Sequence, residues 1–340
     1  MTDAPQLRPP YLLFLGDAGN PLDAKTAQGL VDWRPEDCVG QLRFRNCRVD
    51  TGLPDMDVDQ ARRSGARSLV IGVAPTGGAF NPDWENTLAN ALEAGLDVVS
   101  GLHTPLAEQP KLANAAYRSG SRLVDVRLPP EELEVGTGRR RSGHRLVTVG
   151  TDCCVGKKYT ALALHRALRR AGVPATFRAT GQTGIMIAGA GIALDAVPAD
   201  FISGAAERLA PDNDPDHWDV IEGQGSLFHP AYAPVTLGLL HGAQPDALVL
   251  CHDPARDTLD DFPGFSVPPL DACMERHLAA ARLTNPEARF IGVSLNTRRC
   301  SPSERQALLD AVSAETGLPC VDPVARGVEP LVEALQAHIA

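Results

Sequence analysis

The stretch "RLVTVGTDCCVGKKYTALAL", residues 145–164, decides the fold of the C-terminal half of the chain. A β-branched run ends at Gly150, a loop follows, and a helical pattern begins after Gly156 with Lys157 at its start. In such a loop, backbone N–H groups, the helix dipole and a lysine together attract a phosphate group. The stretch therefore predicts a strand, a phosphate-binding loop and a helix of an α/β domain.

The loop departs in two ways from the common phosphate-loop pattern G-x-x-x-x-G-K-[ST]. Five residues lie between Gly150 and Gly156, one more than in the pattern. Lys158 stands where a Ser or Thr hydroxyl normally binds Mg²⁺, and Thr160 is expected to project from a different side of the helix. A second cation favours an anionic ligand bound without metal, while Thr160 or Asp152 could still recruit a metal ion.

Short apolar runs alternate with helical patterns on both sides of this stretch. The predicted strands before it are "YLLFLGD", "SLVIGVAPTGG", "LDVVSGL" and "RLVDVRLPP", and those after it include "ATFRATG", "DVIEGQGS", "DALVLCHD" and "RFIGVSLNT". This alternation indicates doubly wound parallel sheets, in which ligands bind at the carboxyl ends of the strands. We expect two α/β domains, residues 1–138 and 139–340, with Arg139, Arg140 and Arg141 of "GTGRRRSG" in a solvated linker.

Composition and charge restrict the class of protein. The chain has 340 residues, 44% apolar and 5% aromatic, as expected for Ala/Val/Leu-rich α/β layers. Its net charge of −10 disfavours nucleic acid and anionic membrane surfaces as partners. No apolar run is long enough for a signal or membrane segment, and the eight cysteines form no C-x-x-C pair. We expect a cytoplasmic protein that acts on a small molecule, with a symmetric homo-oligomer as the usual assembly.

Three segments resemble dethiobiotin synthetase, a phosphate-loop enzyme that uses ATP. "GTDCCVGK" is similar to that family's G-T-D-x-x-V-G-K-T loop, "FRATGQTG" lies where the family has K-P-V-x-[ST]-G, and "VIEGQGS" resembles its V-E-G-A-G-G segment. The resemblance implies a P-loop NTPase-like C-terminal domain and, as an alternative function, an ATP-dependent ligase or kinase that binds Mg-ATP. The metal-binding Glu of that family corresponds to Glu222, and Arg178 replaces its lysine.

Almost the whole chain resembles the DUF1611 family through longer segments in the same order. They are "IGVAPTGGAFNPDW", "GLDVVSGLHTPL", "VGTDCCVGKKYTAL", "GQTGIMIAG", "IEGQGSLFHPAY" and "SLNT". This resemblance implies a Rossmann-like N-terminal domain joined to the P-loop domain. It also implies an N-acetyltransferase that moves the acetyl group of acetyl-CoA to the amine of D-glutamate, since members have been assigned that activity. A nucleotide-sensing protein without enzyme activity is a third possibility.

Acetyl-CoA carries a pyrophosphate and a ribose phosphate, which a phosphate loop can hold without a metal ion. The loop residues expected to bind it are Gly150, Thr151, Asp152, Cys153, Cys154, Val155, Gly156, Lys157, Lys158, Tyr159 and Thr160. Cys153 and Cys154 could instead form an acyl-cysteine intermediate. Small residues also suit a tight loop, so we favour direct transfer.

Acetyl transfer to an amine needs a general base and cations that hold the substrate carboxylates. Glu222, at the carboxyl end of a predicted strand, is the candidate base, with metal binding or simple solvation as alternatives. Asp152 could act in catalysis or make only a turn contact. His229, and secondarily His103, follow apolar strands and could transfer protons.

Arg178 is the candidate clamp for the substrate carboxylates, and Gln182 and Thr183 are neutral donors beside it in sequence. A surface ion pair is the alternative for the arginine. The glycine segment "APTGGAF" could form a second anion-binding nest. No metal ligand set is predicted.

Overall fold

The computed structural model describes residues 7–74 and 80–339. Within these ranges the chain forms two compact units: the first runs to Pro130 and also includes Gly181–Ala196, and the second comprises Glu131–Thr180 and the chain from Val197. The glycines and proline of the predicted nest, at positions 75, 77 and 78, lie outside the described residues. The domain boundary at residue 138 stays a prediction.

The first unit is built on a parallel sheet. Its strands are β1 (Tyr11–Gly16), β2 (Cys38–Arg43), β3 (Ser68–Ile71), β4 (Asp97–Ser100) and β5 (Leu123–Asp125), and its helices begin with α1 (Lys25–Trp33), α2 (Val58–Arg63), α3 (Glu85–Glu93) and α4 (Pro110–Ser119). The spatial order is β2-β1-β3-β4-β5. β1, β3 and β4 are buried along their whole length, as parallel strands covered on both faces are.

The second unit is built on a wider parallel sheet with an antiparallel hairpin beside it. The strands are β6 (His144–Gly150), β7 (Ala175–Arg178), β8 (Trp218–Ile221), β9 (Ala247–His252), β10 (Thr258–Leu259), β11 (Phe262–Ser266), β12 (Arg289–Leu295) and β13 (Cys320–Val321). The sheet order is β13-β12-β9-β6-β8-β7, and β10 pairs with β11 in the hairpin. β6 therefore lies inside the sheet, where its carboxyl end is flanked by two neighbouring strands.

The helices of the C-terminal half alternate with these strands. They are α5 (Lys157–Arg170), α6 (Gln182–Ala188), α7 (Ile202–Leu209), α8 (Ala233–Ala243), α9 (Leu270–Ala281), α10 (Pro302–Thr316) and α11 (Glu329–Ile339). A reciprocal capping box between Ser301 and Glu304 fixes the start of α10. No helix in the described part of the chain is both long and apolar enough to cross a membrane.

α6 belongs to the first unit although it follows β7 in sequence. The hydroxyl oxygens of Thr26 and Thr183 lie 3.0 Å apart, and Arg34 donates a 2.9 Å hydrogen bond to the carbonyl of Ile187. These contacts between α6 and the rest of the first unit were not predicted from the sequence. The expected fold class is confirmed: both units are α/β, each with a parallel sheet.

The prediction that Arg139, Arg140 and Arg141 form a solvated linker is wrong for Arg141. That side chain is 6% exposed and donates to the carbonyls of Glu207 (2.9 Å) and Gly242 (2.5 Å). These carbonyls lie in the last turns of α7 and α8, where unpaired carbonyls and the helix dipole favour a cation. The first two arginines remain exposed: Arg139 pairs with exposed Asp212, and Arg140 pairs with buried Asp246.

Candidate functional site

The phosphate loop joins β6 to α5, as predicted. Gly156 has a φ of +106°, a conformation that side-chain-bearing residues rarely adopt, and it directly precedes Lys157, the first residue of the helix. Lys157 is buried, and its Nζ donates a 2.7 Å hydrogen bond to the carbonyl of Asp152. The ammonium is thus folded back onto the loop.

The remaining loop side chains face different surroundings. The hydroxyl of Thr160 is buried, donates to the carbonyl of Gly156 (3.1 Å) and lies 2.8 Å from the hydroxyl of Ser294. The hydroxyl of Thr151 lies 3.0 Å from Nδ1 of His252. Lys158 lies over the ring of Tyr159, 5.3 Å from its centroid. The hydroxyls of Thr151 and Thr160 thus already have protein partners.

Asp152 is fully buried and ties the loop to the segment after β9. One carboxylate oxygen accepts from the backbone N–H of Cys153 (2.6 Å), and the other accepts from Arg256 (2.8 Å) and from the backbone N–H of Asp260 (2.8 Å). This arrangement favours a positioning role for the carboxylate. Arg256 and Asp260 were not predicted from the sequence, although the charged run "HDPARDTLDD", residues 252–261, at the end of a predicted strand was a signal.

Donor atoms of Asp152, Cys153 and His229 lie within 4.8 Å of one another, the only such group found among the described residues. The residues do not fit a cation, because the guanidinium of Arg256 lies against the carboxylate. Burial raises the pKa of the Cys153 thiol to about 11, although Lys157 opposes the shift. To bind a metal ion, Cys153 would have to lose its proton, and burial disfavours the thiolate form.

The same pKa bears on the predicted acyl-cysteine route. At neutral pH the Cys153 sulfur is a thiol, a much weaker nucleophile than the thiolate. Cys154 is exposed and has a φ of +55°. Direct transfer of the acetyl group remains the favoured prediction.

His229 is 1% exposed and lies in an aromatic cluster. Its Nδ1 accepts from the backbone N–H of Ala231 (3.2 Å), so its proton is on Nε2, 3.3 Å from the carbonyl of Asp260. The ring stacks on Tyr232 and meets Phe262 of β11 edge-on. Both nitrogens are engaged in structural hydrogen bonds.

Glu222 is the first residue after β8, as expected for a strand-end carboxylate. It is 5% exposed, its Oε2 accepts from the backbone N–H of Thr180 (3.1 Å), and its carbonyl accepts from the Thr180 hydroxyl (2.6 Å). Gly223 comes next, and a Cβ atom there would lie 1.6 Å from the carbonyl oxygen of Thr148 in β6. The close approach of these two chain segments places Glu222 beside the strand that leads into the phosphate loop.

Arg178, the predicted clamp, forms an ion pair. Its Nε donates a 2.7 Å hydrogen bond to Asp219, a buried carboxylate on β8 that also accepts from Asn213. Gln182 and Thr183 lie in the first unit, where Gln182 accepts from Arg127 (2.9 Å). Arg178 thus pairs with a buried carboxylate and not in a surface ion pair, and the substrate contacts of all three residues stay predictions.

Comparisons with known proteins cover both units. Residues 134–332 match the family described as "Domain of unknown function (DUF1611_C) P-loop domain", and residues 44–129 match "Domain of unknown function (DUF1611_N) Rossmann-like domain". The chain is 48% identical over 328 residues to a protein of Tritonibacter scottomollicae named D-glutamate N-acetyltransferase, covering 96% of this chain and 98% of the relative. A Pseudoalteromonas protein of the same name is 46% identical over 327 residues, with the same coverage.

A solved structure shows the same architecture. A DUF1611 family protein from Anabaena variabilis superposes with a TM-score of 0.88 at 35% identity, over 96% of this chain and 99% of that one. The alignment includes residues of the Rossmann-like part and residues of the P-loop part. The chain therefore belongs to the DUF1611 family.

Proposed function

We propose that the protein is an N-acetyltransferase that moves the acetyl group of acetyl-CoA to the amine of D-glutamate. The observation that carries the proposal is the 46–48% identity, over 96% of the chain, to proteins named D-glutamate N-acetyltransferase. In a chain of net charge −10, the phosphate loop with Lys157 and Lys158 at the start of α5 offers a local site that attracts a small anion. A cytoplasmic location and a homo-oligomeric assembly belong to the same proposal.

The phosphate loop would hold the phosphates of acetyl-CoA. The N–H groups of the first turn of α5 have no acceptor within the helix, and the helix dipole favours an anion at this end. Lys157 can exchange the neutral carbonyl of Asp152, its present acceptor, for a charged phosphate oxygen. Lys158 supplies a second cation at the same helix end.

The reaction joins the amine nitrogen of D-glutamate to the thioester carbonyl carbon and breaks the carbon–sulfur bond. The substrate ammonium must first give one proton to a base, and the second proton that the nitrogen loses on acylation protonates the departing thiolate. We assign the base to Glu222, whose carboxylate is oriented by the backbone N–H of Thr180. The products are N-acetyl-D-glutamate and free coenzyme A.

A thiol-release assay with acetyl-CoA and a panel of D- and L-amino acids tests this function. We expect thiol release with D-glutamate, matched by an equal amount of N-acetyl-D-glutamate in mass spectra. Glu222→Gln should lower kcat by about 10²-fold or more, the usual loss when a general base is removed. An absence of thiol release with every amino acid would reject the proposal.

A further inference from the structure

The first unit has a small, partly open cavity at the carboxyl ends of β4 and β5, and the proposed reaction assigns no role to the residues of its walls. Its volume is about 270 Å³, and its walls include Leu102, His103, Asp125 and Arg127. Pockets for drug-sized ligands begin at roughly 300 Å³, so this cavity suits a smaller molecule. Ligands of parallel α/β sheets bind at this end of the strands.

Arg127 brings a buried positive charge to the cavity. Its side chain is 8% exposed, and its terminal nitrogens donate to Gln182 (2.9 Å) and Asp195 (2.8 Å). Its Nε is buried and has no hydrogen-bond partner among the residues that the structure describes. A buried N–H without an acceptor is costly, so the hydrogen bonding of this guanidinium within the described residues is incomplete.

His103 adds a second donor. Nδ1 of its ring lies 3.3 Å from a terminal nitrogen of Arg127, and because a guanidinium only donates, Nδ1 must be the acceptor. The ring proton is therefore on Nε2. Partial desolvation of the ring and the neighbouring Arg127 lower the pKa of His103, which keeps the ring in this neutral form near pH 7.

Asp125 supplies an acidic acceptor in the same walls. Its carboxylate accepts from the backbone N–H of Leu106 at 3.0 Å and has capacity for further donors. Burial raises the pKa of Asp125 to about 6, with Glu108 adding to the shift and the Leu106 N–H opposing it. At pH 7 the carboxylate is mainly charged and can accept from an ammonium group.

We propose that this cavity binds an amino acid as a zwitterion, with Arg127 and His103 donating to a carboxylate and Asp125 accepting from the ammonium. Two donors and one anionic acceptor around a small space are complementary to the two charged ends of such a molecule. The choice of glutamate as the ligand rests on the proposed function. The bound molecule is either the acetyl acceptor or a free amino acid that acts as an effector, and both present the same groups.

Calorimetric titration of D-glutamate into the full-length protein, without acetyl-CoA, tests the cavity directly. We expect the wild type to bind and Arg127→Gln to weaken binding by about tenfold or more, the usual loss for a charge-assisted hydrogen bond. His103→Leu changes an exposed wall residue, so it serves as the test if Arg127→Gln does not fold. Arg118→Gln is the matched control, because that arginine is exposed and pairs with Glu93 on the same unit.

A second ligand tests the contact with the ammonium. N-acetyl-D-glutamate lacks the charged amine and should bind the wild type more weakly than D-glutamate does. Asp125→Asn should reduce that difference, since it removes the acceptor. Undetectable D-glutamate binding to the wild type, or unchanged binding to folded Arg127→Gln and His103→Leu, would overturn the proposal.

Kinetics separate the two sources of the ligand. A raised KM for D-glutamate in Arg127→Gln, with the KM for acetyl-CoA unchanged, identifies the bound molecule as the acetyl acceptor. Weakened binding with an unchanged KM identifies an effector. If the wild type binds D-glutamate but releases no thiol, the proposed function is rejected and the proposed binding cavity is kept. If thiol is released but the variants bind D-glutamate as the wild type does, the proposed function is kept and the binding cavity is rejected.

Discussion

The carboxylate of Asp152 has Cys153 N–H, Asp260 N–H and the guanidinium of Arg256 as donors. Both oxygens of the Asp152 carboxylate therefore face protein groups. We assign this carboxylate a positioning role, in which it holds the phosphate loop against the segment after β9. The buried ion pair is sensitive to loss of either partner, because the remaining charge would be left uncompensated.

Arg256→Gln tests this assignment. We expect a loss of about 3 kcal/mol in the free energy of unfolding, measured by urea titration, together with a raised KM for acetyl-CoA. Arg139→Gln is the control, since its ion pair with Asp212 is exposed and its loss should leave the free energy of unfolding nearly unchanged. Equal stability of the two variants would contradict the positioning role.

Cys153 gives a second prediction for a single residue. Its pKa of about 11 keeps the sulfur protonated at neutral pH, so Cys153→Ser should retain kcat within about threefold of the wild type. Alkylation at pH 8 should label exposed Cys154 well before Cys153. A large loss of kcat, with an acetyl group trapped on Cys153 in the wild type, would instead establish a covalent intermediate.

At the scale of the structural elements, the segment that follows β8 lies close against β6, where Gly223 faces Thr148. A Cβ atom at Gly223 would lie 1.6 Å from a backbone carbonyl oxygen, which cannot move as a side chain does. Gly223→Ala should therefore lower the free energy of unfolding by about 3 kcal/mol. Gly264→Ala is the control, because a Cβ atom there would have no neighbouring atom within 4 Å. Thermal unfolding of both variants measures the difference, and the stability of Gly264→Ala should equal that of the wild type.

The elements that sequence predicted well are those fixed by local pattern. The strand, glycine loop and helix around Lys157 follow from neighbouring residues, and the placement of Glu222 directly after a strand follows from the apolar run before it. The location of α6 does not, because its contacts join residues far apart: Thr26 and Thr183 are separated by 157 positions. Arg141 was misjudged for the same reason, since the carbonyls it binds come from distant helix ends.

For the whole molecule, ligand binding and stability are linked. Coenzyme A at about 100 times its Kd should stabilise the folded protein by roughly 2.7 kcal/mol, seen as a raised Tm. The rise in Tm should persist in EDTA, because Lys158 replaces the magnesium-binding hydroxyl. The Thr160 hydroxyl is hydrogen-bonded to the carbonyl of Gly156 and lies next to the hydroxyl of Ser294. A Tm raised only by Mg-ATP would favour the ATP-dependent alternative.

The position of α6 affects the order in which the two units can fold during translation. Its sequence is translated after β7, yet it completes the first unit by packing on α1. Domains usually fold as units while the ribosome is still extending the chain. Here the N-terminal unit must wait until part of its C-terminal neighbour has emerged, and a gene fragment that stops at residue 138 would encode that unit without one of its helices.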